Sequence, residues 1–303
     1  MLKKIVLILT QEYKEQQIDS GEYLLFEEEM NRHGSTAEIF GINMQTDMDL
    51  QMKTYLSKAE SVERICAQSA KEETLYLSDD AHALLWLQEK NRYTIAVYHK
   101  RIEGTLPGTR YAIEGTKDIE WEYLYKIYQR FQKEPWDITE TRRCLIREMC
   151  ESDVDALFEL YRSPLVTRYT DPLFQKKEDE KEYIRSYVQN VYQYYGFGTW
   201  LIVRKEDGQL IGCAGYNYRA GYDEAELGFV IGEPFWRMGY AYEVCSHLLM
   251  LGKRVYEFEM VQALTDKQNE ASVRLLEKLG FCYTEDVNID NHEYRRYLYK
   301  LAI

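Results

Sequence analysis

AELGFVIGEPFWRMGYAYEV, residues 225–244, sets an apolar strand-like run directly before an amphipathic one. The first eight residues suit a buried strand, and YAYEVCSHLLMLGKRV from Tyr240 has the period of a helix. Pro234, Arg237 and Gly239 mark the loop between them. A loop that leaves a strand and opens a helix keeps the amides of about Met238 to Ala241 without intrahelical partners, at the positive end of the helix dipole. Gly239 removes a Cβ and permits a tight turn, and Arg237 adds a charged donor suited to phosphate. Two readings stay open on these residues alone: a plain helix start, or a cradle for an anion.

The surrounding half gives the loop its setting. From Thr141 the pattern predicts a strand (RCLIREM), two helices (SDVDALFELYRSP and KEDEKEYIRSYVQNVYQYYG), and a strand (GTWLIVRKE). A turn at Asp207-Gly208 joins that strand to QLIGCAGYNYR as a hairpin. The strand before the loop, the helix after it, a strand MVQALTD, a helix from Asn269 to Leu279 and strands FCYTED and YRRYLYKLA follow. This is an α+β layout with a mostly antiparallel sheet.

In this setting the order E-L-G-F-V-I, then W-R-x-G-Y-A, then N-E-A-S-V-R-L-L-E-K-L-G-F at 269–281 resembles the GNAT superfamily of acyl-CoA-dependent N-acetyltransferases. Within it the sequence looks most like the branch of ribosomal-protein N-terminal alanine acetyltransferases. The resemblance covers about residues 140–303 and implies a GNAT-fold α+β domain with acetyl-CoA as co-substrate. Carried over, the family's pyrophosphate loop falls on Arg237, Met238, Gly239, Tyr240 and Ala241. The pantetheine arm would lie beside Gly228, Phe229, Val230 and Ile231, bonding to their backbone as an added strand does. Asn269 matches an asparagine that contacts the cofactor arm, and Ser272 a serine near the thiol sulfur. The tyrosine that many members carry four residues before the Gly of L-G-F is Leu276 here, so Ser272 is the candidate proton donor, directly or through water.

The implied chemistry is direct attack of a neutral primary amine on the thioester within a ternary complex. It needs an amide N–H for the oxyanion, from around Phe229 or Val230, and a base. Glu226 is the candidate base, and reads also as an outward-facing strand carboxylate. Glu285 follows Phe281 one place later than the family's common glutamate and is a further candidate. Tyr283 is expected to pack, and His247 to be a surface or core histidine of the helix. Arg168, Tyr169 and Asp171, in VTRYTDP, are expected at the substrate mouth, or form an ordinary connecting loop. The acceptor, a small molecule or a protein N-terminus, is left open, as is a rival role as a CoA-binding sensor whose transferase half is idle.

The first half, residues 1–135, alternates short apolar runs with helical ones: KKIVLIL, SGEYLLFEEEMNRHG, STAEIFG, a helix around 55–70, TLYLS, DDAHALLWLQEKN, RYTIAVYHK and RYAIEG. That alternation predicts a Rossmann-like α/β domain with a parallel sheet. TLYLSDDAHALLWLQEKNRYTIAVYH reads as a βαβ unit whose helix is capped by Ser78 or Asp79. Asp79-Asp80 could hold a metal or merely start that helix. The strand–Asp–Asp–helix pattern faintly resembles haloacid-dehalogenase-like domains, but KKIVLILTQEY lacks that family's aspartate pair. A regulatory or dimerising role is expected of this half, with a homodimer as one assembly.

Composition narrows the rest. The net charge is −13 and acid exceeds base in both halves, so no basic field for nucleic acid is expected, and a cationic amine suits the surface. Six scattered cysteines without C-x-x-C spacing argue against a structural metal or a disulfide framework and suit a cytoplasmic protein. No run approaches the roughly 18–20 apolar residues of a membrane span. The opening IVLIL is too short for a signal peptide and suits a buried first strand.

Overall fold

The computed structural model describes residues 1–42 and 60–301. The chain divides into two compact units, Met1–Glu134 and Pro135–Ile303. In the first unit, strands β1 (Lys4–Thr10), β2 (Thr36–Ile42), β3 (Thr74–Ser78), β4 (Tyr93–Tyr98) and β5 (Ala112–Glu114) form one sheet in the order β2-β1-β3-β4-β5. Every pairing in it is parallel. Helices α1 (Gln11–Asp19), α2 (Glu22–Arg32), α3 (described over 60–67), α4 (Ala81–Glu89) and α5 (Trp121–Gln132) accompany it. The part of the helix expected around 55–70 that precedes residue 60 lies outside the described residues.

Strand periodicity explains the layering. Ile5, Leu7 and Leu9 of β1 pack with Phe26, Met30, Leu124 and Ile127 from α2 and α5. Val6 and Ile8 point the other way, against Val62, Cys66, Ala83 and Leu87 from α3 and α4. A strand buried on both faces must be apolar throughout, which is why IVLIL shows no alternation.

The second unit is an eight-stranded sheet in the order β12-β13-β11-β10-β9-β8-β7-β6. Its strands are β6 (Asp137–Glu140), β7 (Cys144–Arg147), β8 (Thr199–Arg204), β9 (Leu210–Tyr218), β10 (Ala225–Ile231), β11 (Met260–Asp266), β12 (Cys282–Ile289) and β13 (His292–Lys300). Only β10 and β11 pair in parallel; the other neighbours are antiparallel. Helices α6 (Val154–Leu160), α7 (Lys177–Tyr187), α9 (Tyr240–Arg254) and α10 (Glu270–Leu279) pack over it, with one short turn, α8 (Gln193–Tyr195). The single helix expected from 177 to 196 is broken by a π turn at Val188–Tyr192. Tyr192 there receives the Met149 amide (3.3 Å) and donates to the Thr199 carbonyl.

Successive residues of β9 tie helices to opposite faces. The Tyr216 hydroxyl donates to the Leu248 carbonyl of α9 (2.8 Å), whereas Asn217 accepts from Tyr187 of α7 (2.8 Å). Strand β6 lies between the two halves expected from sequence, residues 1–135 and 140–303, where no strand is read. Four residues on the sheet edge, D-I-T-E, give too short a pattern to register.

Candidate active site

Strand β10 carries the feature on which the site is built. It pairs with β9 along its whole length, from Ala225↔Tyr218 to Ile231↔Gly212. Its pairing with β11 ends at Glu226↔Gln262. From there the two parallel strands splay apart. The Gly232 amide bonds to the Ile211 carbonyl (2.9 Å), which fixes the phase of the β9–β10 ladder. Antiparallel alternation then assigns the backbone groups of Gly228 and Val230 to β9, and turns those of Phe229 and Ile231 toward the splay. The Ile231 carbonyl is taken by the Trp236 indole (2.6 Å). The Phe229 N–H and carbonyl and the Ile231 N–H line the open edge. Of the two amides expected to face a ligand, Val230's is therefore occupied by the ladder and Phe229's is not.

The loop beyond the strand makes a single 3-10 turn at Glu233–Phe235. Two residues are then left-handed, Arg237 (φ 60°) and Gly239 (φ 82°). For Gly239 this conformation costs little; for Arg237 it is a local strain. Helix α9 starts at Tyr240 with no side-chain cap on its amides. Its first amide to bond back is Glu243's, to the Gly239 carbonyl (3.1 Å). The amides of Tyr240, Ala241 and Tyr242 thus stand ahead of the helical ladder, facing the open end with the helix dipole behind them. Cations gather here: exposed Arg237, Arg143 stacked on the Tyr240 ring (4.1 Å), and Arg204 over Phe235 (5.0 Å). Asp207 bonds Arg204 and pushes its pKa further up.

Arg143 was not singled out by the sequence. It lies in the β6–β7 turn, and its Nε and backbone N–H both donate to Glu243 (2.7 and 2.9 Å). Burial would raise the Glu243 carboxyl, but bonds from Thr141 and Arg143 hold it below the usual carboxylate range. No sequence spacing signals this pair, because the two residues are a hundred positions apart.

The family profile "Acetyltransferase (GNAT) domain" matches residues 143–282. "Uncharacterized N-acetyltransferase YoaA" of Bacillus subtilis (strain 168) is 33% identical over 148 residues, which cover 48% of this chain and 82% of that one. The chain belongs to the GNAT acetyltransferase family. "Uncharacterized protein YkkB" of the same organism is 29% identical over 150 residues, covering 48% and 86%. Among solved structures, an acetyltransferase (GNAT family) from Bacillus anthracis is 21% identical with a TM-score of 0.46, covering 54% of this chain and 97% of that one. GNAT enzymes are acyl-CoA-dependent transferases that use acetyl-CoA as co-substrate.

The other predicted site residues divide by position. Asn269 is the N-cap of α10, where its side chain accepts the Ser272 amide (3.2 Å), so both stand at the helix start beyond β11. Leu276, in the place of the frequent GNAT tyrosine, is buried in the core. Tyr169 donates to the Gln268 carbonyl (3.2 Å), joining the α6–α7 loop to the turn before Asn269, and Arg168 lies over the Tyr169 ring (5.0 Å). Glu226 is largely buried and receives both Nε and Nη2 of Arg219 (2.5 and 3.1 Å). Glu285 sits three strands from β10, on the exposed β12, and is held by Arg296 (3.0 Å). The structure does not bring Glu285 and Glu226 together. Tyr283 is exposed on one side, with its ring edge-on to the buried Tyr297 (5.8 Å). His247 bonds to Thr139 (2.7 Å), pinning β6 to α9.

In the first unit the acidic pair resolves into two structural roles. Asp80, not Ser78 or Asp79, caps α4 by accepting the Ala83 amide (2.9 Å). Asp79 is turned inward instead: its fully buried carboxylate accepts from the Thr10 amide and hydroxyl (2.7 Å each) and from His99 (3.1 Å). His99 stacks on Tyr13 (3.9 Å), whose hydroxyl is pushed up to about 12, by burial first and then by Glu22 and Asp79. Among the described residues one group has metal-ligand spacing, Glu29, His33 and Glu122; Glu29 also holds Arg32 there.

Proposed function

We propose that residues 140–303 transfer the acetyl group of acetyl-CoA to a primary amine by direct attack within a ternary complex. The carrying observation is that β10 loses its parallel neighbour after Glu226 while a helix with uncapped amides begins a few residues past its end. Those two sets of free N–H groups suit the two ends of one long ligand. The amides at Gly239–Tyr242, with Arg237, take the pyrophosphate, aided by the dipole of α9. The Phe229 and Ile231 backbone takes the amide-bearing pantetheine arm as a strand would.

With the arm so placed, the Phe229 N–H meets the thioester oxygen as it gathers negative charge. The amine nitrogen bonds to the carbonyl carbon, the carbon–sulfur bond breaks, and the sulfur takes a proton from Ser272 directly or through water. Glu226 accepts the proton that the amine loses, through a water that reaches past Arg219. Asn269, Arg168 and Tyr169 line the approach, because Tyr169 ties the α6–α7 loop to the turn that carries Asn269. The Tyr294 hydroxyl is pushed up by burial first and then by Asp171, Asp266 and Glu226 against the lowering by Arg219, and these carboxylates favour a cationic acceptor. Ser272 in N-E-A-S supports placing the enzyme in the ribosomal-protein alanine acetyltransferase-like branch.

Residues 1–135 serve a regulatory or dimerising role in this reading. The polar groups at the carboxyl ends of β1 and β3, where a parallel sheet places its ligands, are spent on one another in the Thr10–Asp79–His99 set. Release of free thiol from acetyl-CoA over an amine panel tests the proposal. Turnover with at least one amine, lost in Gly239→Glu, supports it. Tight CoA binding with no turnover on any amine favours the sensor reading instead.

A further inference from the structure

Resting on that reading of the loop, we infer that Arg143 is a positioning residue that sets the direction of the Gly239 amide in the pyrophosphate cradle. Arg143 reaches the loop and the start of α9 from another strand connection and touches Met238, Tyr240 and Glu243 there. Its Nη1 donates to the Met238 carbonyl (3.0 Å), and its Nε and backbone N–H hold Glu243 of the first helical turn. Its guanidinium plane covers the Tyr240 ring, and its Nη2 lies 3.5 Å from where a Cβ on Gly239 would stand.

The consequence follows from peptide geometry. The Met238 carbonyl and the Gly239 N–H belong to one planar unit and point in opposite directions. Pinning the carbonyl on Arg143 therefore turns the Gly239 N–H away from the clamp. Without the clamp, glycine's freedom would let this peptide flip, and a carbonyl would then face the anion. Two left-handed residues flank Met238, so the chain here has little regular structure of its own to hold that plane. Arg143 supplies it: its guanidinium bonds Glu243 through Nε and Met238 through Nη1 at once, which a single lysine ammonium does not reproduce, and Glu243 also takes the Arg143 backbone N–H.

The test compares Arg143→Gln, Arg143→Lys and Glu243→Gln with wild type, using acetyl-CoA and S-acetylpantetheine, a donor without the pyrophosphate. Arg143→Gln is expected to raise KM for acetyl-CoA about tenfold, the share of one charge-assisted hydrogen bond. It should leave kcat and the KM for S-acetylpantetheine unchanged. Arg143→Lys restores less than half of the loss, and Glu243→Gln shows the same donor-selective effect with Arg143 still present. In the ligand-free protein, the Gly239 amide resonance should shift and exchange faster in Arg143→Gln, with the melting temperature nearly kept. An equal loss with both donors, or an unmoved Gly239 amide, overturns the inference. Failure of wild type to use acetyl-CoA would sink the functional reading instead, and the amide resonance would still decide the role of Arg143.

Discussion

Proline substitutions at two adjacent positions of β10 should have opposite consequences. Phe229→Pro removes an N–H that the ladder to β9 does not use; Val230→Pro removes one that it does. In the first, the fold keeps its hydrogen bonds and the active site loses its oxyanion donor. Loss of one such donor costs about 3–4 kcal/mol of transition-state stabilisation, a factor of roughly 10²–10³ in kcat. The Phe229 ring also packs against the core, so Phe229→Ala is the reference: it removes the ring and retains the N–H. The measured quantity is kcat for Phe229→Pro relative to Phe229→Ala, with melting temperatures beside it. Val230→Pro instead leaves a carbonyl of β9 unpaired, at a cost of about 1–3 kcal/mol before the ring clash is counted, and should lower the melting temperature most. If Phe229→Pro unfolds the protein and Val230→Pro spares it, the ladder phase assigned here is wrong. If Phe229→Pro is as active as Phe229→Ala, the amide has no role in transfer.

Three further outcomes follow from the same contacts. Gly239→Ala places a side chain at φ 82°, a conformation costing roughly 1–2 kcal/mol; the KM for acetyl-CoA should rise about five- to thirtyfold, and an unchanged KM would contradict a tight cradle. Burial alone would raise the Asp153 carboxyl, but the Arg147 fork and the Cys150 amide hold it below its ordinary value. Its stabilising contribution is thus complete above the unfolded pKa and lost as pH falls through the lower folded one. Asp153→Asn should cost about 3 kcal/mol at pH 7, and progressively less as the pH falls through the lowered folded pKa, in denaturant titrations. In the first unit, Asp80→Ala should cost about 1 kcal/mol as a lost helix cap, while Asp79→Ala, which removes a fully buried carboxylate and its three hydrogen bonds, should cost several times more; equal effects would refute the division of roles.

Much of the second unit was legible because its signals are local. G-F-V-I, R-M-G-Y-A and N-E-A-S each occupy a strand end or helix start whose geometry the residues themselves dictate. The βαβ stretch from Thr74 to Tyr98 was legible for the same reason. What stayed hidden depends on pairing between distant segments. Nothing near Arg143 in the sequence points to Glu243, and nothing near Phe229 tells its amide from Val230's, since ladder phase is set by β9. The helix cap was misplaced by one residue because Asp79 finds better partners in Thr10, at the end of β1, and His99, just past β4. Glu226 showed its position but not Arg219, which governs how it could act as a base.

The central claim, that the free edge of β10 and the uncapped start of α9 together hold acyl-CoA, is tested most directly by amide-resolved hydrogen exchange with and without CoA. The account predicts new protection at Phe229, Ile231 and Gly239–Tyr242, with Val230, already bonded to β9, unchanged. CoA binding that leaves those amides exchanging freely and protects another part of the chain would contradict it.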